Sequence, residues 1–137
     1  PSIDHLGGDR AFYSPMLDSI SLPAKCSFGK VEEYYSTKFH EMGHSTGHES
    51  RNNRKGICEI NHFGDDNYSQ EELVAEFCAA FLCAETGIIP ATLENSAAYI
   101  KSWKNVLKAD KKMVVFAASQ GQKAADYILD RKPEYTS

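Results

Sequence analysis

The stretch that decides the fold is His40-Glu41-Met42-Gly43-His44, a five-residue HExxH box. In a helix, His40 and His44 lie one turn apart on the same face, with Cβ atoms about 5 to 6 Å apart. Two imidazoles in this position can bind a single Zn²⁺, and Glu41 then faces the open position of the ion. The box therefore predicts a metal site and a general base on one helix.

A catalytic zinc ion needs three protein ligands and one open position, at which the pKa of a water molecule falls towards neutrality. In this arrangement, Glu41 accepts the proton of the water that attacks a carbonyl and later donates it to the leaving amine. The alternative interpretation is a solvated helix face that carries two ordinary histidines.

The residues around the box have the periodicity of an amphipathic helix. The apolar positions at helical spacing are Val31, Tyr35, Phe39 and Met42. The polar positions on the other side are Glu33, Thr37, His40, Glu41 and His44. Gly43 costs about 1 kcal/mol relative to alanine within a helix, so we expect another element to approach its backbone. Gly47 predicts the end of the helix.

The third metal ligand must come from a later segment, and residues 69–76, Ser-Gln-Glu-Glu-Leu-Val-Ala-Glu, offer carboxylates. The intervening chain is long enough to bring a second helix antiparallel to the first. Glu72 and Glu76 are one turn apart, so one can bind the metal while the other orients a ligating histidine. The pattern Ser69-x-x-Glu72 is also that of a capping box, in which the glutamate only bonds to the start of its own helix. In that case Glu71 and Glu76 are the alternative ligands.

The two segments together resemble the gluzincin arrangement, in which the ligand glutamate opens a short ExxxD/E pattern. This resemblance implies that Glu72 is the third ligand and that Glu76 supports a histidine.

From Gly8 onwards, the chain resembles the zincin-like metallopeptidase domain of polyvalent proteins, the C-terminal half of ArdC-type antirestriction proteins of plasmids and conjugative elements. The stretches that carry the resemblance are Arg10–Pro15, Asp18–Pro23, Tyr34–Arg54, Tyr68–Glu76 and Glu94–Trp103. The family typically has Arg-Leu-Asn-Arg after the box, and here Asn52 replaces the leucine.

The resemblance implies an α+β, zincin-like fold with a small N-terminal β-sheet or hairpin, about four helices, and the HExxH box on the first long helix. It also implies a Zn²⁺-dependent hydrolase of peptide bonds, with His40, His44 and Glu72 as metal ligands and Glu41 as the catalytic base. The competing hypothesis is an accessory or interaction domain of a DNA-binding antirestriction protein, in which the metal is structural.

Residues 1–137 suit one domain, and we expect a fragment of a longer protein because the initiator methionine is missing. In the family, a domain associated with single-stranded DNA precedes this one. Here 15 basic residues face 19 acidic ones, and a net charge of −4 predicts weak binding of DNA by this segment alone. We interpret the lysine cluster of the C-terminal helices as a solvated face. It consists of Lys101, Lys104, Lys108, Lys111 and Lys112.

The composition is that of an ordinary globular protein, with 42% hydrophobic and 25% charged residues. No stretch approaches the roughly 20 apolar residues of a membrane span, and the start of the chain shows no signal peptide. The four cysteines have no CxxC spacing, which predicts free thiols in a reducing cytoplasm. Cys78 and Cys83 are expected to be buried on one helix.

Two short extended segments, near Arg10–Tyr13 and Ser19–Leu22, predict a β-hairpin or an edge pair. In a zincin-like arrangement, such an edge can pair with an extended substrate peptide. The alternative is that these strands serve only as scaffold.

Residues 51–68 form the longest irregular stretch, which predicts a lid or binding loop. Its candidates for lining the cleft are Asn61, His62, Phe63 and Tyr68. Tyr68 is also a candidate hydrogen-bond donor to a developing oxyanion. His48 comes two residues too early for the extended pattern HExxHxxGxxH, so it is either a cleft residue of unknown role or only a polar residue after the helix.

Beyond Pro90, helical spacing predicts two C-terminal helices that bury apolar faces against the helices of the metal site. The first stripe consists of Tyr99, Trp103, Val106 and Leu107. The second consists of Met113, Phe116, Ala117, Gln120, Ala124, Tyr127 and Ile128.

Overall fold

The computed structural model describes residues 1–6, 8–59, 66–88, 105, 108 and 110–131. Within these residues, a small N-terminal sheet precedes four helices, which confirms the predicted α+β class and places the HExxH box on the first long helix. The strands are β1 (Ser2–Asp4), β2 (Phe12–Ser14) and β3 (Ser19–Ser21). The helices are α1 (Val31–Ser45), α2 (Lys55–Cys58), α3 (Asp66–Thr86) and α4 (Lys111–Ile128), with a 3₁₀ turn at Lys25–Ser27.

The sheet has the strand order β1-β3-β2. β2 and β3 are antiparallel, as the predicted hairpin requires, and Tyr13 lies opposite Ile20. β1 runs parallel to β3, with Ile3 opposite Ile20, and sequence reasoning did not identify this strand. Three residues are too few to show an alternating pattern, and a parallel partner is set by contacts distant in sequence.

An ion pair at the tip of the hairpin ties the sheet to the end of α1. Asp18 has a φ of 47°, a left-handed conformation that aspartate adopts more readily than most residues. Its carboxylate accepts a hydrogen bond from each terminal nitrogen of Arg51 and one from the Tyr13 hydroxyl, all at 2.8 Å. Arg51 also donates to the Ser45 carbonyl at 3.1 Å. These bonds hold the edge strand β2 beside α1.

α1 lies between the sheet and α3. Tyr34 and the partly buried Met42 pack against Ile20 and Leu22, which are fully buried. On the other face, a Cβ at Gly43 would lie 3.1 Å from the Cys78 Cβ and 3.2 Å from the Ala75 Cα. The predicted close approach at Gly43 is therefore confirmed, and α3 is the element that makes it.

α1 ends at Ser45, close to the end that Gly47 predicts, but the reason for the glycine differs. Positive φ values among the described glycines occur only at Gly8 and Gly87, so Gly47 is not a left-handed cap. A Cβ at Gly47 would lie 2.5 Å from the Ile57 Cγ1. The close packing of α2 against this turn requires the glycine.

α2 and the start of α3 both fall within residues 51–68, so the prediction of one long irregular stretch is wrong. A helix of four residues is too short to show apolar periodicity in the sequence. Three of the predicted cleft residues lie outside the described part of the chain. These are Asn61, His62 and Phe63.

α4 packs on α3, but the predicted apolar face is partly wrong. Phe116 and Tyr127 are 49% and 51% exposed. The buried positions are mostly small, namely Val114, Ala117, Gly121, Ala124 and Ala125. A Cβ at Gly121 would lie 2.5 Å from the Phe77 Cβ, so small residues are what allow the two helices to come together.

The other C-terminal predictions are tested only in part. The stripe of Tyr99, Trp103, Val106 and Leu107 lies outside the described residues, as do Lys101 and Lys104. Lys108, Lys111 and Lys112 are exposed, as expected of a solvated face.

The cysteine predictions that the structure tests are confirmed. All four thiols are free, and Cys78 and Cys83 are buried. Over the described residues, no helix has the length and apolar content needed to span a membrane.

We predict that Gly121→Ala destabilises the protein by about 1–3 kcal/mol, because the new methyl group collides with Phe77 and with the α3 backbone near Val74. This cost exceeds the gain of about 1 kcal/mol in helix propensity. Urea unfolding measures the difference. The control is Ser119→Ala on the exposed side of the same helix, which should be neutral or slightly stabilising. Equal stability of Gly121→Ala and the wild type would contradict the proposed close packing.

We predict that Asp18→Asn lowers stability at neutral pH by at most about 1 kcal/mol, because it removes a partly exposed ion pair. Hydrogen bonds from Arg51 hold the pKa of Asp18 well below its ordinary value. The stabilisation is therefore complete above the unfolded pKa of about 3.9 and is lost as pH falls through the lower folded value. Urea unfolding at several pH values should show the difference from wild type shrinking below pH of about 4. A difference that stays constant over that range would contradict the assignment.

Candidate metal centre

Three side chains from α1 and α3 converge on one point. The Nε2 atoms of His40 and His44 are 3.1 Å apart, and their rings stand at 81° to each other. The carboxylate oxygens of Glu72 lie 3.3 Å from each of these Nε2 atoms. One ligand atom from each of the three residues lies within 4.8 Å of the other two.

This donor set fits a divalent metal ion. Nitrogen and oxygen ligands at about 2.0–2.2 Å around a tetrahedral ion are about 3.3–3.6 Å apart. The observed separations of 3.1 and 3.3 Å are close to this geometry. Two imidazole nitrogens and one carboxylate oxygen suit Zn²⁺ and also other divalent ions.

Helix geometry accounts for the convergence. His40 and His44 are one turn apart on α1, as the sequence predicts. α3 begins at Asp66, so Ser69 lies inside the helix and cannot be its N-cap. The capping-box interpretation of Glu72 is therefore wrong, and its carboxylate faces the two histidines instead.

Each histidine is also held from its other ring nitrogen. The Nδ1 of His40 lies 2.8 Å from the Glu76 Oε1, and the Nδ1 of His44 lies 2.9 Å from the Glu71 Oε2. A carboxylate that accepts the Nδ1 proton leaves the Nε2 lone pair free to bind a metal. Sequence reasoning identified Glu76 as one such support but treated Glu71 only as an alternative ligand.

Glu71 is paired in turn with Arg54, a residue that sequence reasoning did not assign to the site. The guanidinium Nε donates to the Glu71 Oε1 at 2.8 Å, and Nη2 donates to Oε2 at 3.0 Å. Arg54 and Glu71 are only 8% and 5% exposed. The quartet Arg51-Asn52-Asn53-Arg54 after the box was a possible signal for Arg54, but the sequence does not show which groups this arginine contacts.

Glu41 is buried at 8% exposure and lines a cavity of about 450 Å³ together with the three converging residues. Tyr13 of β2 lines the same cavity. Burial raises the pKa of Glu41, while the nearby imidazoles of His44 and His40 lower it. The carboxylate therefore stands at the wall of the cavity that the histidines also face.

The carboxylates around the two histidines favour positive charge. Burial lowers the pKa of His40, but hydrogen bonds to Glu72 and Glu76 outweigh it and raise the pKa to about 10. For His44, burial is likewise outweighed by hydrogen bonds to Glu71 and Glu72, and the pKa rises to about 8. Burial raises the pKa of Glu72, but its bonds to His40 and His44 hold the pKa well below its ordinary value. A bound metal must displace the protons, so metal affinity falls as pH is lowered.

The cavity is open to solvent. It is lined by Ala11, Phe12, Tyr13, His40, Glu41, His44, Gly56, Ile57, Tyr68, Glu71 and Glu72. Tyr68 thus lines the cleft, as predicted. His48 is not among these lining residues and hydrogen-bonds to Ser50 at 2.8 Å, which favours the simpler interpretation of a polar residue after the helix.

Comparisons with known proteins identify relatives of this chain. The model of a family described as zincin-like metallopeptidase, MPTase-PolyVal, matches residues 2–120. Two proteins named DNA primase TraC from Escherichia coli are each 41% identical over 129 residues, which is 93% of this chain. The matched region is 9% of one relative and 12% of the other, so the chain corresponds to a small part of their length.

Two solved structures share the fold. Both are of the antirestriction protein ArdC from plasmid R388, in a Mn(II)-bound and a metal-free form. The Mn(II)-bound form has a TM-score of 0.73 and 39% identity, and the metal-free form has 0.71 and 37%. They cover 94% and 96% of this chain, which matches 47% and 48% of theirs. The zincin-like fold that the sequence predicts is confirmed.

Proposed function

The chain belongs to the zincin-like metallopeptidase family, and from this premise we propose that it is a zinc-dependent peptidase domain that hydrolyses peptide bonds. The observation that carries the proposal is the convergence of His40, His44 and Glu72 in an open cavity that Glu41 also lines. We assign the first three residues as metal ligands and Glu41 as the general base.

We propose Zn²⁺ as the native ion. Two imidazoles and one carboxylate form a ligand set found in catalytic zinc sites, although the same set accepts other divalent ions. One structure of the related ArdC protein is Mn(II)-bound, which supports the binding of a divalent ion. When bound, such an ion supplies Lewis acidity, which lowers the pKa of a water molecule and polarises a carbonyl.

Glu41 carries the proton transfer in this proposal. Its carboxylate accepts a proton from the attacking water and delivers it to the amine that leaves. Burial of the side chain restricts the movement of Glu41 at the wall of the cavity. Fixed placement of the base is what makes such a transfer efficient.

β2 is the proposed platform for an extended peptide substrate. Within the described residues β2 pairs with β3 alone, so it is an edge strand, and its residues Phe12 and Tyr13 line the cavity. A peptide can add to such an edge through main-chain hydrogen bonds. Phe12, which is 41% exposed, offers an apolar contact to a substrate side chain. We expect the Tyr68 hydroxyl to donate to the carbonyl oxygen during attack.

We further propose that the domain belongs to a longer cytoplasmic antirestriction protein of a mobile element. The relatives named above are all longer than this chain, and one is an antirestriction protein of a plasmid. A net charge of −4 argues against strong binding of DNA by this domain, so any DNA contact is assigned to another domain.

A second candidate function is an accessory domain in which the metal only stabilises the fold. The names of the relatives favour it, since they describe a DNA primase and an antirestriction protein rather than a peptidase. The open cavity beside the metal ligands favours the hydrolase, because structural zinc sites are closed.

We predict that the wild-type domain binds one Zn²⁺ and that His40→Ala, His44→Ala and Glu72→Ala each lose it. The loss should exceed the about 10- to 100-fold that removal of a supporting residue costs. Competition with a chromogenic chelator measures the affinity. The control is His48→Ala, which should bind as the wild type does because His48 lies off the cavity. Stoichiometric zinc in the Glu72→Ala variant would exclude Glu72 as a ligand.

We predict that Glu41→Gln keeps zinc but lowers peptide hydrolysis by about 10²- to 10⁴-fold, because the amide cannot accept the proton. A library of fluorogenic peptides measures the activity, and chelator competition measures the zinc. The same substitution in a full-length parent protein, tested for protection of DNA against restriction, separates the two candidate functions. Full protection by that variant would favour the accessory domain.

A further inference from the structure

We infer that Arg54 is a positioning residue of the metal centre, which acts on His44 through Glu71. The inference rests on the metal site proposed above. It adds a residue whose guanidinium bonds to Glu71 and not to any of the three proposed ligands. The guanidinium and the Glu71 carboxylate form two parallel bonds at 2.8 and 3.0 Å. The same Oε2 that accepts from Nη2 lies 2.9 Å from the His44 Nδ1.

Burial makes this pair necessary. The side chains of Arg54 and Glu71 are 7% and 6% exposed, and that of His44 is 11% exposed. A carboxylate at this depth is costly unless a cation and hydrogen bonds compensate it. Two-point binding by a planar guanidinium also fixes the direction of the carboxylate lone pairs. Glu71 is thereby held in the one orientation that directs the His44 Nε2 to the metal position.

The two histidines differ in this respect. His40 is supported by Glu76, whose side chain is 31% exposed, so water compensates much of its charge. His44 is supported by a carboxylate that water scarcely reaches. Only the buried carboxylate of Glu71 therefore needs a cation to compensate its charge, and Arg54 provides it.

Arg54 also joins the two helices that carry the proposed ligands. It donates to the Gly43 carbonyl at 2.8 Å and to the Thr46 Oγ1 at 2.7 Å, both at the end of α1. Its other bonds reach Glu71 on α3, the neighbour in sequence of Glu72. One rigid group therefore sets the separation between the end of α1 and the turn of α3 that carries a ligand.

The test is Arg54→Met, with zinc affinity measured by chelator competition and the fold monitored by circular dichroism and thermal unfolding. We expect a folded protein whose zinc affinity is about 10- to 100-fold lower than that of the wild type. The zinc affinity of Arg54→Lys should lie between those of the wild type and Arg54→Met, because lysine keeps the positive charge but cannot bind the carboxylate at two points. The absorption spectrum of bound Co²⁺ should change in both variants, since it reports ligand geometry.

Arg51→Met is the matched control. Arg51 also makes a two-point bond to a carboxylate, that of Asp18, and also donates to a carbonyl at the end of α1. Asp18 does not contact the proposed ligands, so Arg51→Met should lower thermal stability and leave zinc affinity unchanged. A purely structural role for Arg54 would make the two variants alike in both measurements.

Glu71→Gln decides the matter if Arg54→Met does not fold. This variant keeps the bonds of Arg54 to Gly43 and Thr46 but weakens the link to His44. We expect a folded protein with zinc affinity lowered about 10- to 100-fold. Wild-type affinity in a folded Arg54→Met or Glu71→Gln variant would overturn the inference. Absence of zinc binding by the wild type would instead overturn the proposed function.

Discussion

The structure depends on the close contact between α1 and α3. It is possible because Gly43 presents no side chain at the point where Ala75 and Cys78 cross it. The histidines of the box lie one turn apart around this glycine, and the glutamates of α3 face them at 2.8 to 3.3 Å. A larger residue at the crossing would separate the helices, and distances of this order would be lost.

This contact turns the polar face of α1 towards the interior. An amphipathic helix usually directs polar residues to water. Here Glu41 and His44 are both 8% exposed, while the apolar residue Val31 is 46% exposed. Buried polar groups of this kind are tolerated when they are fully paired. Among the described residues, the centre brings together four carboxylates and one guanidinium, an excess of negative charge that protons on the histidines or a divalent cation would offset.

The sheet completes the site from the opposite side. Its contribution is the position of β2, which is held by the bonds of Asp18 to Arg51 and Tyr13 and which places Tyr13 in the lining of the cavity, where Glu41 also lies. The scaffold thus supplies a cavity wall with an edge strand, next to the buried Glu41. α4 lies outside the site and has a supporting role. It packs through small residues on α3, the helix that carries the glutamates.

The sequence by itself determined the features that local geometry governs. These were the helix of the box, the facing pair of histidines one turn apart, the glutamates of the second segment, the hairpin and the α+β class. Helical spacing alone did not separate the roles of Glu71, Glu72 and Glu76, because successive residues on a helix differ by about 100° and only the neighbouring helix defines which direction is inward. The resemblance to a known family was what assigned Glu72 as ligand and Glu76 as support. Sequence reasoning also missed Arg54, β1 and the true face of α4. An arginine in a loop and a strand of three residues do not produce a periodic pattern in the sequence. The buried face of α4 includes Gly121, which packs there because it is small, and a search for hydrophobic residues does not detect it. Tertiary structure decided these points because each depends on which distant groups come within contact distance, and the pattern along one segment does not contain that information.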